Sequence, residues 1–164
     1  SPCGVWAVWG NHDRIAFDAR RALGTFHDDL ASAGVRVLVN ESDRPRDDLR
    51  LTGIDDLLQG RPRLGAALAE TASGGATILL SHNPDILPEV PPEVGLTLAG
   101  HTHGGQICLP GGVPIYTSSR YGRRFAQGWV EGPARGYVSR GLGVSFLPLR
   151  FACPAELTVF DLTP

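Results

Sequence analysis

Short apolar runs alternate with polar turns along most of this chain. Val5–Trp9, Val35–Val39, Leu49–Ile54, Thr77–Leu80, Leu96–Ala99, Gly136–Ser139 and Leu157–Leu162 are compact and rich in Val, Ile and Leu, which predicts strands. Between Ile15 and Ala33 the period changes. Ala19, Leu23, Phe26, Leu30 and Ala33 recur at spacings of three and four and draw one apolar helix face, and Gly34 follows where a helix stop is expected. A second helix is predicted over Arg63–Thr71, and a short one after Pro84, around Asp85–Leu87. The stretch from Gly104 to Pro133 is rich in Gly and Pro and predicts an ordered loop region with at most a hairpin. With no repeat, low-complexity tract or linker, the pattern predicts one α/β domain over residues 1–164.

Composition narrows this picture. At 42% hydrophobic and 20% charged residues the chain is globular rather than disordered. No apolar run approaches the roughly 18 residues of a membrane span. The net charge of −2 is unevenly spread, with nine Arg against fourteen acids up to residue 100 and six Arg against three acids after it. The basic half begins at a pair of histidines, which fits an anionic ligand there, chance asymmetry being the alternative. The overall charge lacks the broad basic footprint of a nucleic-acid-binding surface. Cys3, Cys108 and Cys153 have no C-x-x-C spacing, so neither a disulfide framework nor a zinc knuckle is expected, and reduced thiols in a cytosolic setting are. The chain contains no Met and opens Ser1-Pro2-Cys3-Gly4, which reads as a start trimmed from a longer protein.

Four of the five histidines stand at exits of predicted strands, in "VWGNHD", "LLSHNPD" and "LAGHTHGG". Each apolar run carries the chain through the core and delivers a polar residue at its end, the rim where open α/β sheets bind ligands. His101 and His103, as i and i+2 of an extended segment, are expected to point to one side and to suit a borderline divalent metal, with a pair of surface histidines as the alternative. Asn11 and His12 are further candidate ligands. Asp13 either orients an imidazole or caps the helix that follows, and His82 alone reads as a strand-end histidine bound to a loop. Arg120, Arg123 and Arg124 in "SSRYGRRF" are candidates for gripping an anionic substrate, with an ordinary solvated basic turn as the alternative. Asp85 and Gln106 are candidates to orient the imidazoles, and Arg140, after a predicted strand, either reaches the site or forms a structural ion pair.

Taken together, Gly-Asn-His-Asp, Ser-His and Gly-His-x-His, in that order and each at a strand exit, resemble the calcineurin-like metallophosphoesterase superfamily. "LTGIDD", "GHTHGGQICLP", "SSRYGRRFAQG", "YVSRGLG" and "LPLRFACPAELTVFDL" are similar to one bacterial subfamily of phosphodiesterases and UDP-diacylglucosamine pyrophosphatase-like enzymes. That resemblance implies a four-layer α/β/β/α sandwich whose N-terminal part lies upstream of residue 1. It also implies two divalent metal ions, Mn, Fe or Zn, that activate a hydroxide for attack on a phosphodiester or pyrophosphate bond. Carried over residue by residue, Asn11, His82 and His101 bind one metal and His103 the other. His12 stands by the scissile phosphate, with Asp13 holding its ring. The implied partner is a phosphorylated small-molecule or lipid-linked substrate, and the implied location is the cytoplasm, at the membrane where an upstream segment anchors the longer protein. The family's Asp-x-His and Gly-Asp motifs do not occur in this chain. The alternative is therefore a catalytically silent α/β module that binds one metal or a partner.

Overall fold

A computed structural model describes residues 3–18, 22–69 and 75–163. Its largest sheet has six strands in the order β3-β4-β5-β6-β10-β9. The four inner strands, β4 (Leu49–Gly53), β5 (Ala76–Leu80), β6 (Leu96–Ala99) and β10 (Gly136–Val138), run parallel. Two antiparallel edges flank them, β3 (Glu41–Arg46) beside β4 and β9 (Gly128–Val130) beside β10. Parallel strands covered on both faces read as continuous aliphatic runs, which is why Thr77, Ile78 and Leu79 are all buried. A second, two-stranded parallel sheet joins β1 (Val5–Ala7) to β2 (Val35–Val37). It is tied to the large sheet where the Trp6 indole N–H donates to Asp43 Oδ2 at 2.7 Å and Arg36 pairs with the same carboxylate at 2.7 Å.

The amphipathic segment departs from one continuous helix. A single turn, α1 (Asn11–Asp13), runs into a π-helical stretch over Arg14–Asp18, and α2 (Leu23–Ser32) follows. Phe26 of α2 stacks on Phe17 at 4.3 Å between centroids and packs against buried Trp9 at 5.7 Å, so aromatic contacts fix how this segment lies. Ala19 lies outside the described residues. The helix predicted over Arg63–Thr71 is the short α3 (Leu64–Ala67), and positions 70 and 71 are also outside them. The turn after Pro84 is a 3-10 helix over Pro84–Glu89, capped by Asn83 Oδ1, which accepts the Asp85 N–H at 2.9 Å. In the Gly/Pro-rich stretch the structure has the hairpin β7 (Cys108–Leu109) and β8 (Val113–Pro114), as expected. It also has a 3-10 turn at Gly122–Phe125 and strand β9, which were not.

Leu157–Leu162 is not a strand. Its alternation is real, but Leu157 and Val159 stand 80% and 83% exposed and no neighbouring strand pairs with it. Glu156, Thr158 and Phe160 turn inward instead, and Phe160 makes edge contacts with Trp129 and Tyr137. Two apolar clusters fill the core, one around Ile54, Leu79, Ile86 and Val94 and the other around Leu87, Phe125 and Val138.

Candidate metal centre

The parallel strands end on a common rim. Gly53 is in register with Leu80, and Leu80 with Leu98, so the residues that follow each strand emerge side by side. Asp55 and Asp56 leave β4, Ser81 and His82 leave β5, and Gly100 and His101 leave β6. The loop after β1 brings in Gly10 and Asn11.

Three side chains converge there. Asn11 Oδ1 lies 2.9 Å from His82 Nε2, and His101 Nδ1 lies 3.1 Å from the same nitrogen. The two imidazoles meet edge to face at 4.9 Å. Gly10 backs the His82 ring so closely that a Cβ at this position would sit 2.8 Å from Cε1 and Nδ1. His101 Nε2 is buried without a hydrogen-bond partner of good geometry. Burial and then the neighbouring His101 push the His82 pKa down to about 4, against smaller upward pulls from Asp56 and Asp13. Burial likewise lowers the pKa of His101, opposed by Asp56, Asp85 and the Ser118 backbone. Both rings are therefore neutral at pH 7 and present lone pairs, the form a metal requires.

His101 and His103 share the rim, but not as an extended pair. β6 stops at Ala99, and the chain then turns with φ of +67° at His101, +52° at His103, +65° at Gly104, +82° at Gly105 and +60° at Gln106. Such left-handed backbone is disfavoured for residues with a Cβ and is ordinary for glycine. Space enforces the two glycines as well. A Cβ on Gly104 would run into Arg140 and Cys153, and one on Gly105 into Pro114. Thr102 pins the turn, its hydroxyl donating to the Ala126 carbonyl at 2.6 Å. The His103 ring takes a different direction: Nδ1 donates to the Gly143 carbonyl at 3.2 Å, which fixes its tautomer and leaves Nε2 as the free acceptor. His103 remains near enough to lower the pKa of both His82 and His101.

Of the other candidates, His12 is exposed on α1, and Asp13 caps its own turn, Oδ2 accepting the Gly10 N–H at 2.9 Å. No hydrogen bond joins Asp13 to the His12 ring among the described residues. Asp85 is buried and engages the Ser119 hydroxyl and the Arg120 N–H. Gln106 clamps the 145–147 loop, accepting the Ser145 N–H and donating to the Ser145 and Leu147 carbonyls at 3.0 and 2.9 Å. Arg140 pairs with Glu156 at 2.6 Å. The three arginines of "SSRYGRRF" do not converge: Arg120 reaches the Asp85 carbonyl, Arg123 that of Pro114 and Arg124 that of Glu131. Arg120 also lines a cleft of about 650 Å³ with Leu57, Leu58, Ile86, Asn83 and Ser118. A second cavity of about 390 Å³ joins His103 to Ile115, Tyr116, Phe146 and Leu147.

Two residues outside the candidate set also shape this rim. Arg150 donates to the carbonyls of His103 at 3.0 Å, Arg140 at 2.7 Å and Gly143 at 2.6 Å, tying the histidine turn to the C-terminal segment. Nothing in the local pattern of "LPLRF" marks it. Asp55 holds Arg14 through Nε at 3.0 Å and so anchors the start of the π-helical stretch that follows Asn11, and "GIDD" was the only signal. Among the described residues, no three His, Cys, Asp or Glu side chains form a metal-binding group. The third member of the converging set is Asn11, whose carbonyl oxygen is also a competent ligand atom. An amide oxygen and an imidazole nitrogen, each about 3 Å from His82 Nε2, make three neutral donors of the kind a divalent cation's coordination shell accepts.

Comparison with known proteins agrees with this chemistry. Over 99% of the chain it is 35% identical to the uncharacterized metallophosphoesterase YkuE of Bacillus subtilis. Over 96% of the chain it is 32% identical to phosphodiesterase YaeI of Escherichia coli, and over 94% it is 29% identical to a transmembrane protein with metallophosphoesterase domain of Danio rerio. The chain spans 57%, 58% and 38% of those relatives' lengths. No family model and no solved structure matches it. A mixed α/β sheet with histidines at its rim, together with these similarities over nearly the whole chain, places it: the chain belongs to the calcineurin-like metallophosphoesterase superfamily.

Proposed function

We propose that this chain supplies the histidine-rich wall of the active site of a metal-dependent phosphoester hydrolase acting on a phosphodiester or pyrophosphate bond. The observation that carries the reading is the meeting of Asn11 Oδ1, His82 Nε2 and His101 Nδ1 at 2.9 and 3.1 Å. These three hold one divalent ion, and His103, through Nε2, serves a second. When bound, Mn, Fe or Zn ions supply Lewis acidity, stabilising charge on a phosphoryl group and making water acidic enough to attack at neutral pH. His12, exposed beside Asn11, donates to a phosphoryl or leaving-group oxygen, and Asp13 keeps its helical turn formed. Arg120, Arg123 and Arg124 contribute positive potential for an anionic substrate.

The apolar cavity that runs from His103 to Phe146 and Leu147 favours a substrate with a lipid or other hydrocarbon part. No helix among the described residues is long and apolar enough to cross a membrane. Membrane association of the longer protein is proposed by analogy with the Danio rerio relative, whose name places a metallophosphoesterase domain in a transmembrane protein.

The test is hydrolysis of bis-p-nitrophenyl phosphate by the full-length protein under Mn²⁺, Fe²⁺ and Zn²⁺. Metal-dependent turnover, lost in His82→Ala and reduced about 10²–10⁴-fold in His12→Ala, is expected. A full-length protein inactive on mono-, di- and pyrophosphate esters with every metal refutes the assignment.

A further inference from the structure

Asp56 is one of the most deeply enclosed charged side chains in the protein, at 0% exposure. Only half of its carboxylate is satisfied. Oδ2 accepts the Leu58 N–H at 2.9 Å and the Gln59 N–H at 2.7 Å, whereas Oδ1 is buried with no hydrogen-bond partner. The guanidinium of Arg14, which reaches this turn, pairs with the adjacent Asp55 instead. Among the described residues Asp56 forms no ion pair. A carboxylate withdrawn from water with one oxygen unpaired is a costly arrangement unless a positive charge lies close by.

The fold indicates where that charge belongs. Ile54, two residues earlier, donates its N–H to the Leu80 carbonyl at 3.2 Å, so Asp56 leaves β4 directly beside the point where His82 leaves β5. The converging donors themselves, an amide oxygen and two neutral imidazoles, bring no charge to offset a divalent ion.

We propose that Asp56 is the charge-compensating carboxylate of the metal site: it stands behind the His82–His101 pair without touching the ion, and its unpaired, fully buried oxygen raises the pair's affinity for a divalent cation. Asp56 is thus a positioning residue, and the assignment rests on the metal-binding reading above. It explains why two adjacent acids follow β4. Asp55 is spent on Arg14 and on the backbone N–H groups of Asp56 and Arg61, and Asp56 is kept for the rim.

The experiment is calorimetric titration of Mn²⁺ into the purified chain and into Asp56→Asn, Asp56→Ser and His82→Ala, with thermal melts in chelator and in Mn²⁺. Asn and Ser each keep an oxygen for the Leu58 and Gln59 N–H groups, so the turn survives while the charge is lost. The expected result is a Kd weaker by about 10–100-fold in both Asp56 variants. Their melting temperatures in chelator should equal or exceed that of the unaltered chain, and the rise on adding Mn²⁺ should shrink. A merely structural Asp56 gives the opposite pattern, with lower melting temperatures in chelator and a Kd within twofold of the original, and that result overturns the proposal while His82→Ala still loses binding. If the unaltered chain takes up no Mn²⁺ and His82→Ala changes nothing, the metal-binding reading falls and this one with it.

Discussion

Replacing Gly10 by Ala isolates one steric contact at the candidate metal centre. The backbone there has φ of −102° and ψ of 169°, a conformation that any residue adopts, so the added methyl group introduces no backbone strain. It does meet the His82 ring, 2.8 Å from Cε1 and Nδ1 and 3.0 Å from Nε2, where ordinary contact begins at 3.4 Å. The ring must retreat from position 10 by about 0.6 Å. That displacement is large beside separations of 2.9 and 3.1 Å and pulls Nε2 out of line with Asn11 and His101. Overpacking of this kind costs about 1–3 kcal/mol, and the lost freedom of the unfolded chain on Gly→Ala returns about 0.4–1 kcal/mol. The net destabilisation is then about 0–2.6 kcal/mol, small enough for Gly10→Ala to fold. The effect on metal is larger, about a 10–100-fold weaker Kd, because ligand orientation and not ligand identity has changed. Urea melts in chelator and Mn²⁺ calorimetry measure the two effects separately. A Gly10→Ala protein that binds Mn²⁺ as tightly as its parent refutes the convergence of Asn11, His82 and His101 on one ion.

Two further outcomes follow from the same structure. His82 has a pKa of about 4 in the fold against 6.5 when free, so the unfolded chain binds its proton first; in chelator, its contribution to stability is full above pH 6.5 and falls by about 3 kcal/mol as pH drops to 4, and urea melts should find the acid slope shallower in His82→Gln. Phe146 sits at φ of +60° and is 99% exposed, so Phe146→Gly relieves left-handed strain of about 1–2 kcal/mol against an entropy cost of about 0.5–1 kcal/mol and should raise the melting temperature slightly; a fall of several degrees would mean that the ring has a packing role.

The interior of the large sheet was legible because its strands are buried on both sides. Thr77–Leu80 and Leu96–Ala99 are aliphatic runs for that reason, and the histidines at their ends followed from where such runs must stop. The edges were not legible. β3 reads Glu-Ser-Asp-Arg-Pro-Arg, with no apolar residue except a proline, and is a strand only because β4 offers backbone partners across a bulge. Leu157–Leu162 failed in the reverse sense, carrying strand alternation without any backbone to pair with. At the candidate site, histidine spacing picked out side chains that the fold brings together but not their aim. An i, i+2 argument assumes extended chain, and left-handed backbone at His101 and His103 breaks that assumption. Asp56 was legible only as an acid following a strand in "GIDD"; that it leaves β4 one strand away from His82 is a relation the register of β4 and β5 creates.

Arg150 gives the irregular C-terminal stretch a weight that its lack of helix or strand conceals. One guanidinium gathers carbonyls from 103, 140, 141 and 143, so the tail and the histidine hairpin bend behave as one mechanical unit. Proteolysis between residues 141 and 149 would leave the sheet intact yet release the imidazole at position 103 from its carbonyl anchor, so the tail sets where that ring points while the sheet only sets where it begins.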